Sequence, residues 1–400
     1  MFIEILIAIA LGITSGIFTG LIPGVHINLI SVLLLSFSPI LLQYTNIVSL
    51  CCFIIAMSVT HSFLDSIPSI FLGAPDSDMA LGVLPGHRYL LKGLGLTAVK
   101  LTIIGSFGAL LLSILFFPLL IPLVKFGYPL IESYIGYILI LVVVFMIMRD
   151  RKRIWAFFVF LTAGVLGLIV LNMPNFENPL FPLFSGLFGI STLIISLQNN
   201  EKIPKQMKKQ YVRVPNSRTF KALFSGGFSG FITAVMPGLG ASTAAVISMQ
   251  ITKNLKEDGF MILMGSINTF NFILSMVTLY VLNKARNGSI IVIQELIDAI
   301  TISHIIIFLC AVLIAGSLSV FLALILAKAF SKIVSIVSYR KMVFSVIFLI
   351  SSLVLVLTGS LGLLILAIST AVGIIPPTVN VSRTHAMGCL LLPVILYFTL

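Results

Sequence analysis

Charge is what this sequence has least of. Lysine, arginine, aspartate and glutamate make up 9% of its 400 residues, while 59% are apolar. A soluble chain carries roughly 25% charged residues, and the deficit here runs the whole length, at a mean hydropathy of +1.20. A water-soluble fold is excluded. Acidic groups are rarer still, 12 against 24 basic, for a net charge of +12. The basic residues fall in short inter-helix loops without interleaved aromatics, the distribution of cytoplasmic loops under the positive-inside rule, so nucleic acid is set aside as a partner. Four cysteines, Cys51, Cys52, Cys310 and Cys389, lie in apolar stretches without metal-ligand spacing and are expected to be buried, inert thiols. There is no H-E-x-x-H, no P-loop and no G-x-G-D aspartate pair, so no enzyme, metal or cofactor is expected. The N-terminus lacks the basic region and cleavage site of a signal peptide, with Glu4 its only charge, and is expected to remain as structure.

What is present is a series of apolar stretches long enough to cross a hydrocarbon core of about 30 Å. Leu101 to Leu120, Ile135 to Met148, Ile154 to Leu171, Ile305 to Leu326 and Phe344 to Leu357 are clear examples. In lipid every backbone amide must be satisfied within the segment, which makes these spans helices. An all-α integral membrane protein is the expected class.

The chain also resembles itself. Residues 12–24 read GITSGIFTGLIPG and residues 226–238 read GGFSGFITAVMPG. At an offset of 214, Gly12, Ser15, Gly16, Thr19, Pro23 and Gly24 meet Gly226, Ser229, Gly230, Thr233, Pro237 and Gly238. A weaker echo sets VLGLIVL from Val165 against SLGLLIL from Ser360, at an offset of 195. The expected organisation is a first repeat over 1–198, a basic cytoplasmic linker over 199–219 and a second repeat over 220–400. Each repeat would hold a Pro-Gly-broken helical hairpin and about five spanning helices. An odd number of crossings per repeat inverts the second relative to the first. With the linker inside, 21 of the 24 basic residues fall on the inner side, and only Lys125, Lys284 and Arg286 fall outside. Both termini are then extracytoplasmic, in a multi-pass protein of the cell membrane.

Inverted repeats with interrupted hydrophobic segments at matching positions mark secondary transporters. A Pro-Gly step breaks a helix, and the half-helix beyond it begins with unpaired amides and a positive dipole end, an anion site. Pro23, Gly24, His26 and Asn28 in the first half, and Pro237, Gly238, Gly240, Ser242 and Thr243 in the second, are the candidate substrate-binding residues. The alternative is that Pro-Gly merely kinks a helix whose small residues pack closely. His61 and Asp65, one helical turn apart in the span from Ile47 to Phe71, are candidates for a coupling proton or Na⁺, or are a structural pair. The matching region GSINTFNFILS offers Asn268, Thr269 and Asn271, substrate ligands or helix-to-helix glue. The stretch Gly73 to Gly95 is too polar and turn-rich to span; its Arg88 and Lys92, like Arg383 and His385, suit an anion or serve as basic anchors. Gly227-Phe228-Ser229-Gly230 fits an intramembrane serine protease pattern, but Ser229 belongs to the repeat's own motif.

The two GxxSGxxTxxxPG segments resemble the large membrane subunit of tripartite tricarboxylate transporters, the TctA-type permeases. A second loop resembles the family's G-x-P…A…G-x-x-L…G…A pattern at Gly73, Pro75, Ala80, Gly86, Leu90, Gly93 and Ala98. This chain is shorter than typical members, and reads His26-Ile27-Asn28 where the family tends toward glycine. The resemblance implies an ion-coupled importer of di- or tricarboxylates working with a small membrane subunit and an extracytoplasmic binding protein; a homodimer is compatible with it. A translocase of polyprenyl phosphate or another lipid phosphate, and a non-transporting membrane scaffold, stand as alternatives.

Overall fold

The computed structural model describes residues 2–22, 27–73, 79, 81, 83–174, 176, 178–198, 204–207, 212–235, 241–252, 255–285, 287–297, 299–336 and 339–399. Every regular element among them is helical. The first half contains α1 (Phe2–Leu21), α2 (Ile27–Leu41), α3 (Ile47–Leu64), α4 (Ser66–Phe71), α5 (Val83–Leu91) and α6 (Gly95–Leu115). It continues with α7 (Phe117–Glu132), α8 (Ile135–Arg149), α9 (Arg153–Leu171), α10 (Leu180–Phe184), a π-helical turn (Ser185–Ile190) and α11 (Ser191–Gln198). The second half contains α12 (Asn216–Val235), α13 (Ala241–Ile251), α14 (Lys256–Leu282), α15 (Gly288–Leu296), α16 (Ile302–Ile336) and α17 (Tyr339–Val379). A 3₁₀ turn (Arg383–Met387) then leads into α18 (Gly388–Thr399).

Among the described residues seven helices are long and apolar enough to cross a membrane, or eight if α7 and α8, sharply bent against each other, count as one broken span. That is fewer than two sets of about five. Leu180–Ile195 and Arg383–Thr399 are apolar but too short to cross. The stretch Leu101 to Leu120 does not form one span either: α6 stops at Leu115, because Pro118 cannot donate to the carbonyl of Ile114 and a new helix starts at Phe117. α17, at 41 residues, breaks at Gly359, whose φ of 70° is open to glycine at no steric cost. The outer faces carry Phe18, Phe145, Phe158, Phe321 and Phe348, all exposed. Such a continuous apolar exterior is stable only against lipid. Cys310 is exposed on it, while Cys51, Cys52 and Cys389 are buried as expected.

Glycines set how the helices meet. A Cβ on Gly12 or Gly16 of α1 would strike the backbone of α3 at Phe53 and Met57, and Gly226 and Gly230 of α12 lie equally close to Ser266 and Phe270 of α14. The partner residues Ala56 and Thr60 on α3 and Ser266 and Phe270 on α14 are related by a constant offset of 210. The long helices also exchange partners between the halves: α14 packs on α6, and α3 on α16. The last elements do likewise, α9 against α18 and α17 against the π-helical turn. There Gly167 abuts Cys389 and Gly373 abuts Leu187, so contact register pairs Gly167 with Gly373, at an offset of 206 rather than the 195 of the weaker sequence echo. The segment taken as linker is part helix, since α12 begins at Asn216. Its Gln206 is buried, accepting from the Gly95 N–H at 3.0 Å and donating to the Leu90 carbonyl at 2.9 Å.

Candidate functional site

α14 is the central helix: 94% of its most apolar window is buried, against 28% for α1. Its faces are assigned by contact. Gly265 meets Thr102 of α6, while Ser266 and Phe270 meet Gly226 and Gly230 of α12. Asn268, Asn271 and Ser275, spaced by three and four residues, share a third face. Asn268 is 6% exposed and Ser275 fully buried, and among the described residues neither the carboxamide of Asn268 nor the hydroxyl of Ser275 has a hydrogen-bond partner. Asn271, between them, is half-buried. Asn268 and Asn271 therefore lie on one face as expected, and Ser275 extends the stripe by a turn.

On α3, His61 and Asp65 are each 4% exposed, well inside the protein. Asp65 stands at the joint between α3 and α4, where its N–H donates to the His61 carbonyl at 2.9 Å. Applying the offset of 210, Ser58, His61 and Asp65 correspond to Asn268, Asn271 and Ser275. Ser58 is committed elsewhere, bonding Ser289 of α15 at 2.8 Å.

Of the residues expected at the Pro-Gly steps, Pro23, Gly24, His26, Pro237, Gly238 and Gly240 lie outside the described residues. Asn28 and Thr243 are described in backbone only, in the first turns of α2 and α13. Ser242, beside Thr243, is buried. From there α13 packs on α12 through hydroxyls: Ser225 bonds Ser248 at 3.1 Å and Thr252 at 2.6 Å, and Ser229 bonds Ser248 and, at 3.1 Å, the Ala244 carbonyl. Ser229 is thus a packing hydroxyl. His385 is held instead by Asp150, Nε2 to Oδ2 at 3.0 Å.

A cavity of about 450 Å³ opens on the face where α5, α8, α13, the start of α14 and the Arg383 turn converge. Among the described residues four basic side chains line it, Arg88, Arg149, Lys256 and Arg383, with one carboxylate, Glu257. Glu257 accepts from Arg88 at 3.1 Å and from Lys92 at 3.4 Å, in ion pairs open to solvent. Arg383 donates to Ser191, at 3.4 Å, and to Thr192, hydroxyls without counter-charge. Burial first, and then the positive field of Arg88, push its pKa down to about 10, so it remains charged at neutral pH. Beside the cavity, burial acts to raise the Asp150 carboxyl, but the N–H groups of Lys152 and Ser382 and the His385 ring outweigh it and hold it below its ordinary value. Sequence reasoning noted Arg88 and Arg383 separately. It missed that they meet, because the helices joining them are about 300 residues apart in the chain.

A helical protein with a lipid-compatible exterior, several spans and polar groups enclosed on its central helix is a multi-pass membrane protein built to hold something polar inside. The chain belongs to the tripartite tricarboxylate transporter TctA family, whose model matches residues 6–388. It is a membrane component of a transporter, not an enzyme. It is also 29% identical to an uncharacterized protein of Methanocaldococcus jannaschii, over 98% of each chain. No solved structure matches it.

Proposed function

We propose that this chain is the carrier subunit of a secondary transporter for a small organic anion, such as a di- or tricarboxylate. The observation that carries this reading is the carboxamide of Asn268 on the central helix, buried and without a partner among the described residues. Leaving a buried amide without a partner costs about 1–3 kcal/mol, and the cost is offset where a ligand or its water supplies the missing bonds. Asn271 and Ser275 extend the same face. The Pro-Gly steps, Pro23-Gly24 and Pro237-Gly238, would bring half-helix ends with His26, Asn28, Gly240, Ser242 and Thr243 to the same anion near the midplane. The matching packing of α1 on α3 and of α12 on α14, and the reciprocal contacts of α3 with α16 and α14 with α6, support the reading of two repeats of opposite orientation. His61 and Asp65, at the positions on α3 that match Asn271 and Ser275 respectively, are then the coupling groups for a proton or Na⁺. A small membrane subunit and an extracytoplasmic binding protein complete the assembly, as the family's tripartite description suggests.

Gradient-driven uptake of labelled citrate and shorter dicarboxylates into proteoliposomes tests this. Asn268→Leu should lower uptake at least tenfold while leaving thermal stability equal or higher, because it removes an unpaired polar group. Asp65→Asn should abolish accumulation against a gradient while sparing binding. Undiminished uptake by the Asn268→Leu protein would remove the central site.

A further inference from the structure

The basic cavity is separate from the polar stripe of α14. Lys256 opens the helix and Asn268 follows 12 residues later, about 18 Å along the axis at 1.5 Å per residue. We propose that the cavity is a second binding site, for a small organic anion carrying two or more carboxylate or phosphate groups on a short carbon frame. This goes beyond the transport reading and does not depend on it.

Four observations converge. The first is the imbalance of charge, four cations against Glu257. Like charges converging on one concavity repel and are costly to desolvate, and a bound polyanion relieves both terms. The second is Arg383, largely buried, whose partners among the described residues are hydroxyls and include no carboxylate. A guanidinium so placed keeps donors for a planar carboxylate or a phosphate. The third is the start of α14, where Leu255 provides no side-chain cap, so first-turn amides and the positive end of a 27-residue dipole add to the field. The fourth is the apolar remainder, with Phe188 and Phe260 against the charged wall, in a volume of about 450 Å³. Small-molecule sites range over roughly 300–1,000 Å³ and combine such surfaces. An anion with a carbon frame uses both walls, whereas inorganic phosphate uses one.

Glu257 gives the site its competitor. Its carboxylate is the cavity's resident anion, and its solvent-exposed bonds to Arg88 and Lys92 are of the weak, screened kind. An arriving carboxylate exchanges with it for Arg88.

The test is titration calorimetry of the purified full-length chain in zwitterionic lipid nanodiscs, with citrate and with inorganic phosphate as probes. In the Asn268→Leu background, which removes the central site, citrate should still bind. Arg383→Gln should weaken that binding tenfold or more. Arg149→Gln, an exposed change that does not endanger folding, should weaken it at least threefold, and Glu257→Gln should strengthen it at least threefold. Phosphate should bind severalfold more weakly than citrate. If the Asn268→Leu protein binds no citrate, or if Arg383, Arg149 and Glu257 changes leave its affinity unaltered, the second site is overturned while the transport reading stands. Equal affinity for phosphate would overturn the organic class of ligand.

Discussion

His87 is 2% exposed, in a segment whose composition suggested a cytoplasmic loop or a re-entrant segment. Burial pushes its imidazole down to about 4, and a bond to the Ile70 backbone pulls only weakly the other way. A histidine held neutral in the folded state stabilises fully above its unfolded value near 6.5, and that contribution is lost as pH falls toward 4. A shift of this size corresponds to roughly 3 kcal/mol. The melting temperature of the purified protein should therefore fall between pH 6.5 and 4, and His87→Gln should flatten that fall; equal losses in both proteins would remove His87 as the cause. Asp150 and His385 act in the same direction, since both are held below their ordinary values. The chemistry of these residues was readable as letters. Their burial was not, because Gly86 brings α5 against Ile70 from outside the local pattern.

At the scale of elements, the crossing of α6 and α14 is a tight constraint on both helices. A Cβ on Gly105 would sit 2.0 Å from the Ile262 carbonyl oxygen, and one on Gly265 2.2 Å from that of Thr102. The two backbones touch, as small residues allow between membrane helices. Gly105→Val should cost about 1–3 kcal/mol or more, the range of overpacking, and lower both yield and melting temperature. Gly108→Ala is the control, since its nearest neighbour at 3.0 Å is the movable end of the Leu223 side chain. If both proteins melt alike, the crossing is not limiting. The span ends were less legible than the spans, because breaks at Phe116 and Gly359 fall inside hydrophobic runs that hydropathy reads as continuous.

For the whole molecule, we propose from the distribution of basic residues that the segment around Met207 faces the cytoplasm and both termini face outward. Met207 is 52% exposed. In a protein with Cys310 replaced by serine, Met207→Cys should react with an impermeant maleimide only after cells are opened. Labelling in intact cells would reverse the topology. On that topology Arg88, Arg149, Lys256 and Arg383 share the inner side, and the positive-inside bias and the cavity's charge would be one distribution seen at two scales.

Composition and the length of the apolar runs determined that the chain is helical and membrane-embedded, since a long run that is apolar on every side satisfies its amides in lipid as a helix. The six matching residues of the two Pro-Gly segments carried the family resemblance, while His61 with Asp65, and Asn268 with Asn271, pointed to α3 and α14 as the helices to watch. Local pattern carries that much because hydrophobicity and backbone breaks are properties of neighbouring residues. Tertiary structure decided which polar groups end up without partners, which face of α14 they share, and that cations from four distant segments converge on one cavity. Those facts depend on where glycine lets backbones touch and on partners hundreds of residues apart, and neither is written in any local stretch of the chain.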